Sequence, residues 1–396
     1  MQKLNVPVLL LLFFSVLISG VTAQTIGLRT SVEVDHSGAM LITESRELSS
    51  PTVTPEMDLT QPGLVWNHPS GGLNWIARDV SIGDFGTQTL HVAELNNERI
   101  EFLSCYDQNP PTPIWTDASI FGTDMGYMCD SARSSNFHVA MYHVNAPDSM
   151  HRVPYVHGYT SSSETPIWTW NYESTINYGT RVSVDRDTTV VAIGIYDNNT
   201  SALELYFLDP ATGDELSRFT HAQDGLRGWD LSADGSTLYF HDGTTVYIYD
   251  IASSSIVFTT PTAGSFDSHC ISGDGTKFAF GGFGTVKIWE KISGVWGSYQ
   301  YATGSGNYCA TMDFSDDGST LGFGIYWYST GAKSEAYMMD VATKTITAHV
   351  INNSNGTFQD LPCCAAMSHD GKYFAMGRWG DELSANPEVQ ILENHV

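Results

Sequence analysis

The sequence is poor in positive charge, in long apolar runs and in catalytic signatures. Its 396 residues carry 18 Lys and Arg against 44 Asp and Glu, a formal net charge of −26. Such an acidic surface repels phosphate backbones and anionic bilayers, which excludes nucleic acid as a partner. Beyond the first residues no stretch approaches the roughly 20 apolar residues of a membrane-spanning helix, so no membrane span is expected in the mature chain. There is no C-x-x-C pair, which argues against a zinc ribbon or a thioredoxin-type redox motif. A G-x-S-x-G elbow, an H-E-x-x-H helix, a P-loop and a G-x-G-x-x-G turn are also missing, so no catalytic residue is assigned from sequence. Charged residues make up only 16% of the chain, but disorder is excluded, because 42% hydrophobic and 12% aromatic residues supply a core.

What is present begins with a leader. Lys3, an apolar run over residues 6–18 and the small-residue site Val21-Thr22-Ala23 read as a signal peptide over residues 1–23. The expectation is a secreted monomer whose residues 24–396 form one domain. Cys105, Cys129, Cys270, Cys309, Cys363 and Cys364 would then meet an oxidising compartment and are all disulfide candidates. The adjacent pair Cys363-Cys364 would form a vicinal bridge, or one of them would reach Cys309; the other reading makes some of the six small buried hydrophobes. Sequons at Asn198, Asn199, Asn352 and Asn355 lie in polar stretches that read as exposed loops, and mark glycosylation candidates.

An internal repeat sets the architecture. Leu231-Ser232-Ala233-Asp234-Gly235 is followed by a strand over 236–240, the turn Asp242-Gly243-Thr244-Thr245 and the strand Val246-Tyr247-Ile248-Tyr249-Asp250. The next unit runs Ile271-Ser272-Gly273-Asp274-Gly275, a strand over 277–280, a Gly-rich turn and Thr285-Val286-Lys287-Ile288-Trp289-Glu290. Asp-Gly turns between segments of period-2 alternation are the signature of consecutive hairpins. These units resemble WD40 and YVTN-type β-propeller repeats. The stretch from Leu205 to Leu216, with Asp209-Pro210-Ala211-Thr212-Gly213 as its turn, is similar to quinoprotein-type propeller repeats.

The resemblance implies an all-β propeller of four-stranded antiparallel blades. Third-strand endings recur at Met57-Asp58, Tyr106-Asp107, near Thr160, and at Leu208-Asp209, Tyr249-Asp250, Trp289-Glu290, Met339-Asp340 and Leu392-Glu393, at blade-sized intervals. Eight blades are expected, with residues 32–66 as the first and the N-terminal strand over 25–29 completing the last. The alternative is seven blades closed by Leu64-Val65-Trp66.

In such a ring the entry to each innermost strand lies at the mouth of the central channel. Trp75, Tyr127, Tyr178, Trp229 and Tyr308 stand at those entries, with His269 in the related place of its unit and Arg78, Asp79, Arg181, Arg227, Asp230 and Asp360 nearby. Aromatic rings beside polar groups suit a sugar, a peptide or a flat ligand, although rings at these positions also wedge blades apart. The expected function is non-catalytic binding of a protein or carbohydrate ligand at the channel mouth. The alternative is a propeller enzyme, either a quinoprotein-like dehydrogenase or a glycan lyase or hydrolase. In the quinoprotein family a vicinal disulfide lies beside the cofactor and calcium assists, which is what the resemblance implies for Cys363-Cys364. No cofactor is expected from the residues themselves; calcium is the one ion that clustered turn carboxylates such as Asp185 with Asp187, or Asp313 with Asp316 and Asp317, would suit. His138 and His143, five apart on one strand, face opposite ways and cannot share a metal.

Overall fold

The computed structural model describes residues 26–34, 40–48, 64–68, 77–82, 90–94, 99–103, 113–117, 128–131, 136–145 and 152–394. From that last span 161, 177–178, 198, 224, 263–267, 305, 328–332, 354–360 and 379–388 are excluded, and before residue 146 side chains are described only at 80–82, 115, 130 and 136–144. The leader over residues 1–23 lies outside the described residues. No described helix is long and apolar enough to cross a membrane.

Two units are distinguished, Met1–Pro51 and Thr52–Val396. The first contains one antiparallel hairpin, β1 (Ile26–Val34) on β2 (Met40–Leu48), paired without interruption from Ile26↔Leu48 to Val34↔Met40. The second opens with β3 (Leu64–His68). Its blades follow as β4 (Ala77–Ile82), β5 (Leu90–Glu94), β6 (Arg99–Leu103) and β7 (Pro113–Asp117); then β8 (Met128–Ser131), β9 (Phe137–Asn145), β10 (Arg152–Thr160) and β11 (Trp168–Asn171). Next come β12 (Thr180–Val184), β13 (Val191–Asp197), β14 (Ala202–Leu208) and β15 (Glu215–Ala222), then β16 (Gly228–Leu231), β17 (Thr237–His241), β18 (Thr245–Asp250) and β19 (Ser255–Pro261). The C-terminal part holds β20 (Ser268–Ile271), β21 (Lys277–Gly281), β22 (Thr285–Ile292) and β23 (Val295–Ala302), followed by β24 (Tyr308–Phe314), β25 (Thr320–Tyr326), β26 (Lys333–Asp340) and β27 (Thr345–Asn353). Last are β28 (Pro362–Met367), β29 (Tyr373–Arg378) and β30 (Val389–Glu393).

Pairing confirms a β-propeller and overturns the expected blade count, in both its versions. Six sheets hold four strands each, and β20 to β23 pair in sequence as a further antiparallel set. The innermost strands touch in the order β4, β8, β12, β16, β20, β24 and β28, and β28 returns to β4. The described strands within residues 32–66 do not pair as one blade. The strand expected to close the ring, over 25–29, belongs instead to β1 and pairs with β2. Leu64–His68 pairs with β30, as the fourth strand of the β28–β30 sheet. The physical reason for the error is that the β1–β2 hairpin has the same period-2 pattern as the first half of a blade. Met57-Asp58, counted as a third-strand ending, lies outside the described residues.

The repeated turn shows why these residues form blades. In Ser232-Ala233-Asp234-Gly235 the Ser232 hydroxyl donates to Asp234 at 2.7 Å and accepts the Thr237 N–H at 2.9 Å, while the Gly235 N–H bonds the Ser232 carbonyl at 2.9 Å. The same bonds recur around Ser272, Ser315 and Ser368, whose side chains are all buried. Gly235, Gly275, Gly318 and Gly371 adopt φ between 62° and 69°, the left-handed conformation that ends this turn and starts the returning strand. Asp185 takes the serine's place in the β12–β13 turn, accepting the Thr189 and Val190 N–H groups at 2.7 Å each.

The cores lie between blades. Leu205, Phe207, Trp229, Leu238 and Phe240 fill one interface, and Tyr239, Ile248, Phe278 and Phe280 the next. Fully burying a side chain of this size is worth about 1.5–3 kcal/mol, so the aromatic-rich strands hold the ring together.

Candidate functional site

Backbone and carboxylate links between blades build the channel. At one end the tips of the turns are chained: the N–H of Arg186 donates to the Ala233 carbonyl at 2.9 Å, Asp234 to Gly273 at 3.1 Å, Asp274 to Asp316 at 3.0 Å and Asp316 to His369 at 3.0 Å. Arg186 also forms an ion pair with Asp316 across several blades. Deeper in, three aspartates on the innermost strands each accept an N–H from the next blade: Asp130 from Val184 at 3.1 Å, Asp230 from Ile271 at 2.7 Å and Asp313 from Met367 at 2.6 Å.

These aspartates divide the channel into two chambers. The chamber at the turn end measures about 100 Å³ and includes Arg186, Asp316 and His369 in its wall. The chamber at the strand-entry end measures about 270 Å³ and is lined by Arg181, Ser183, Trp229, His269, Thr311 and Cys363 among others, with Asp130, Asp230 and Asp313 common to both. Asp313 is half-buried and lines both chambers. Its burial, then the charge of Asp230, raise its pKa well above the ordinary carboxylate value.

Three of the expected mouth residues, Arg181, Trp229 and His269, line the strand-entry chamber. Arg181 donates to the carbonyl of Thr180 at 2.8 Å and to that of Arg227 at 2.7 Å, which sets Arg227 beside it. His269 lies with its ring parallel to that of Tyr239, centroids 5.6 Å apart, and its Nε2 is 2.8 Å from the Trp229 N–H. Trp229 acts mainly as a wedge: it is 5% exposed, its indole N–H donates to Ser183 at 3.2 Å, and its ring lies against Gly194 of the neighbouring blade. Tyr308 packs on Phe283 with centroids 4.9 Å apart and does not line the chamber. Trp75, Tyr127, Tyr178 and Asp360 lie outside the described residues, as do the side chains of Arg78 and Asp79.

Sequence reasoning missed His241, which is fully buried beside the mouth. Burial, followed by the nearby His269, Arg181 and Arg227, pushes its pKa down to about 2, so it stays neutral. It also missed Asp130 and Asp313 as blade linkers. For Asp230 and Asp313 a signal existed: each stands two residues before the serine of a Ser-x-Asp-Gly turn.

The disulfide expectation is overturned. Cys270 and Cys309 are free thiols, and no disulfide occurs among the described residues. Cys363 donates to the Leu361 carbonyl at 3.2 Å rather than bonding its neighbour, so the vicinal bridge of the quinoprotein resemblance is absent. Cys309 is buried at 3.5 Å from the Ser268 hydroxyl, and burial pushes its thiol up to about 12. Cys105 and the side chain of Cys129 lie outside the described residues.

Of the sequons, Asn199 sits in an exposed turn, while Asn352 is 7% exposed and exchanges two amide hydrogen bonds with Gln390, at 2.9 and 3.0 Å. Asn352 is therefore a strand residue at a blade interface and not a loop site; Asn198 and Asn355 are outside the described residues. His138 and His143 are both buried. Among the described residues no group of three or more metal-ligating side chains converges, and the turn carboxylates already accept hydrogen bonds, as at Asp185 and Asp317.

No protein-family model and no curated protein matches the chain. The class, a β-propeller, rests on strand pairing, and this fold serves ligand binding and catalysis alike.

Proposed function

We propose that this chain is an exported, monomeric propeller that binds a protein or glycan ligand at the channel mouth without transforming it. The observation that carries the reading is the chamber of about 270 Å³ in which Arg181, Ser183, His269 and Thr311 surround the entry. A few convergent polar groups in a preformed concavity are what orient a bound ligand. The polar groups are already anchored: Arg181 on two carbonyls, His269 on the Trp229 backbone, and the three aspartates on N–H groups of adjacent blades. Groups fixed in this way make a rigid platform, which favours binding over proton transfer.

The test is a glycan array and a pull-down with the purified protein, repeated with Arg181→Ala and His269→Ala. Ligand retained by the native protein and lost from both folded variants is expected. Ligand turned over, or a quinone chromophore carried by the purified protein, would refute the reading. One observation favours the enzyme alternative: Asp313, raised by burial, shares the channel with Asp230, and a protonated carboxyl near an ionised one is the basis of acid–base pairs. Glycan cleavage that disappears in Asp313→Asn would establish it.

A further inference from the structure

A second cavity lies away from the channel, at the outer edge where the β8–β11 blade meets the β12–β15 blade. It measures about 300 Å³ and is lined by Trp170, Tyr172, Glu173, Glu204, Tyr206 and Glu215 among others. Three aromatic rings form its walls. Trp170 and Tyr206 have centroids 5.2 Å apart with planes inclined at 57°, and Tyr172 stands edge-on to Tyr206 at 6.2 Å and 73°. Tyr172 and Tyr206 are 6% and 7% exposed and form the back of the cavity, while Trp170 is half-buried at its opening.

The charge of the cavity is one-sided. The Tyr206 hydroxyl donates to Glu204, and Tyr172 hydrogen-bonds Glu204 and Asp197, so a half-buried carboxylate is held beside the rings in the cavity wall. Arg218, the one cation in the wall, pairs with Glu215 at 3.8 Å. Glu204 and Glu173 are then the remaining charges, on a chain whose net charge is −26.

We infer that this cavity binds the ammonium head of an organic cation, an alkylammonium group enclosed by Trp170, Tyr172 and Tyr206 with Glu204 as counter-charge. Each ring presents a negative π face to a cation. Hydrogen bonding of the phenols to a carboxylate enriches those faces further. Mutually inclined rings enclose a compact tetrahedral head on several sides, whereas a sugar stacks on one broad, open face. The inference does not depend on the channel-mouth reading, because it uses none of its residues.

The probe is choline, compared by ligand-observed NMR or calorimetry with 3,3-dimethylbutan-1-ol, which has the same shape and no charge, and with methyl glucoside. Choline is expected to bind at least about tenfold more tightly than the neutral alcohol, within the range of a desolvated cation–π site. Glu204→Gln, which keeps an acceptor for Tyr206, is expected to weaken choline about fivefold or more, and Trp170→Ala likewise, with folding of both checked by thermal melts. Equal binding of choline and the alcohol would identify an apolar pocket and overturn the proposal. Binding of methyl glucoside in preference to choline, absence of choline binding, or unchanged affinity in Glu204→Gln would overturn it as well.

Discussion

Replacing Asp313 by Asn tests the electrostatics of the channel. Asp313 accepts the Phe314 N–H at 2.8 Å and the Met367 N–H at 2.6 Å. Burial raises its pKa most, Asp230 adds to the rise and Asp130 does so to a lesser degree, while the two N–H bonds pull the other way; the net direction is well above 3.8. In the unfolded chain the same carboxyl titrates near 3.9. Between that value and the folded one the native state holds more protons than the unfolded state, so stability falls as pH rises. The contribution is complete below about pH 3.9 and is lost as pH rises through the folded pKa, at up to about 1.4 kcal/mol per pH unit.

Turn aspartates behave in the opposite sense. At Asp242, Asp274 and Asp317 burial opposes ionisation, but the turn hydrogen bonds outweigh it and hold each pKa below 3.8. Their contribution is present at neutral pH and lost as pH falls below about 4. The two carboxylate effects therefore occupy different windows, and from pH 5 to 7.5 the difference between wild type and Asp313→Asn isolates Asp313, because the contribution of His241, whose depressed pKa makes stability rise with pH in the same interval, is common to both proteins. Asn cannot ionise, and it leaves one of the two N–H groups facing an amide donor, an offset of about 1–3 kcal/mol that does not vary with pH. Urea denaturation of both proteins at half-unit steps should show the wild type losing ground to Asp313→Asn as pH rises, by about 1 kcal/mol per unit near pH 5. Parallel curves, or a wild type that gains on the variant with rising pH, would refute the reasoning.

Ser315→Ala removes the only hydroxyl that accepts the buried Thr320 N–H and should cost about 1–3 kcal/mol, whereas Ser253→Ala in an exposed turn should stay within about 0.5 kcal/mol; urea midpoints compare them. Gly322→Ala drives a Cβ into the ring of Phe374 and should cost about 1–3 kcal/mol, while Gly297→Ala, with open space around it, should leave the melting temperature almost unchanged. Alkylation with mass detection should label Cys270 and Cys309 only after unfolding, because both are buried free thiols. Peptide mapping after expression in a glycosylating host should find Asn352 unmodified, because its amide is paired with Gln390.

The blades were legible in sequence where the turn chemistry was strict. A Ser-x-Asp-Gly tetrad leaves one conformation that satisfies its own hydroxyl, carboxylate and N–H groups, and it appears four times with nearly the same distances. The ring count failed at the N-terminus because period-2 alternation encodes which face is buried and not which strand is the partner. The β1–β2 register runs without interruption from Ile26↔Leu48 to Val34↔Met40. Asn352 misled for a similar reason: Asn-Asn-Ser-Asn reads as a polar loop, yet strand alternation turns the first amide inward to Gln390. The site was only partly legible. Arg181, Trp229 and His269 were found from their place in the repeat, but that Trp229 would wedge against Gly194 depends on a glycine in another blade. Trp170 lies on β11 with Tyr172 just after it, while Glu204 lies on β14 of the next blade, and no spacing along the chain announces that meeting.

The surplus of acid separates into two kinds of carboxylate. Hairpin ends leave N–H groups without strand partners, and aspartate is short enough to accept them: Asp209 takes Ala211, Asp234 takes Ser236, Asp242 takes Thr244 and Thr245, and Asp340 takes Thr343, each within 3.0 Å. Asp130, Asp230 and Asp313 do the same between blades. These charges are explained by the backbone and say little about a partner. Glu204 and Glu335 are different, because they meet phenol hydroxyls, of Tyr206 and Tyr337, and not main-chain N–H groups; at Glu204 the phenols belong to an aromatic cavity. Counting acids gave −26 without distinguishing these roles; assigning each carboxylate its donor does, and it directs the search for a cation to the rim between two blades and not to the channel.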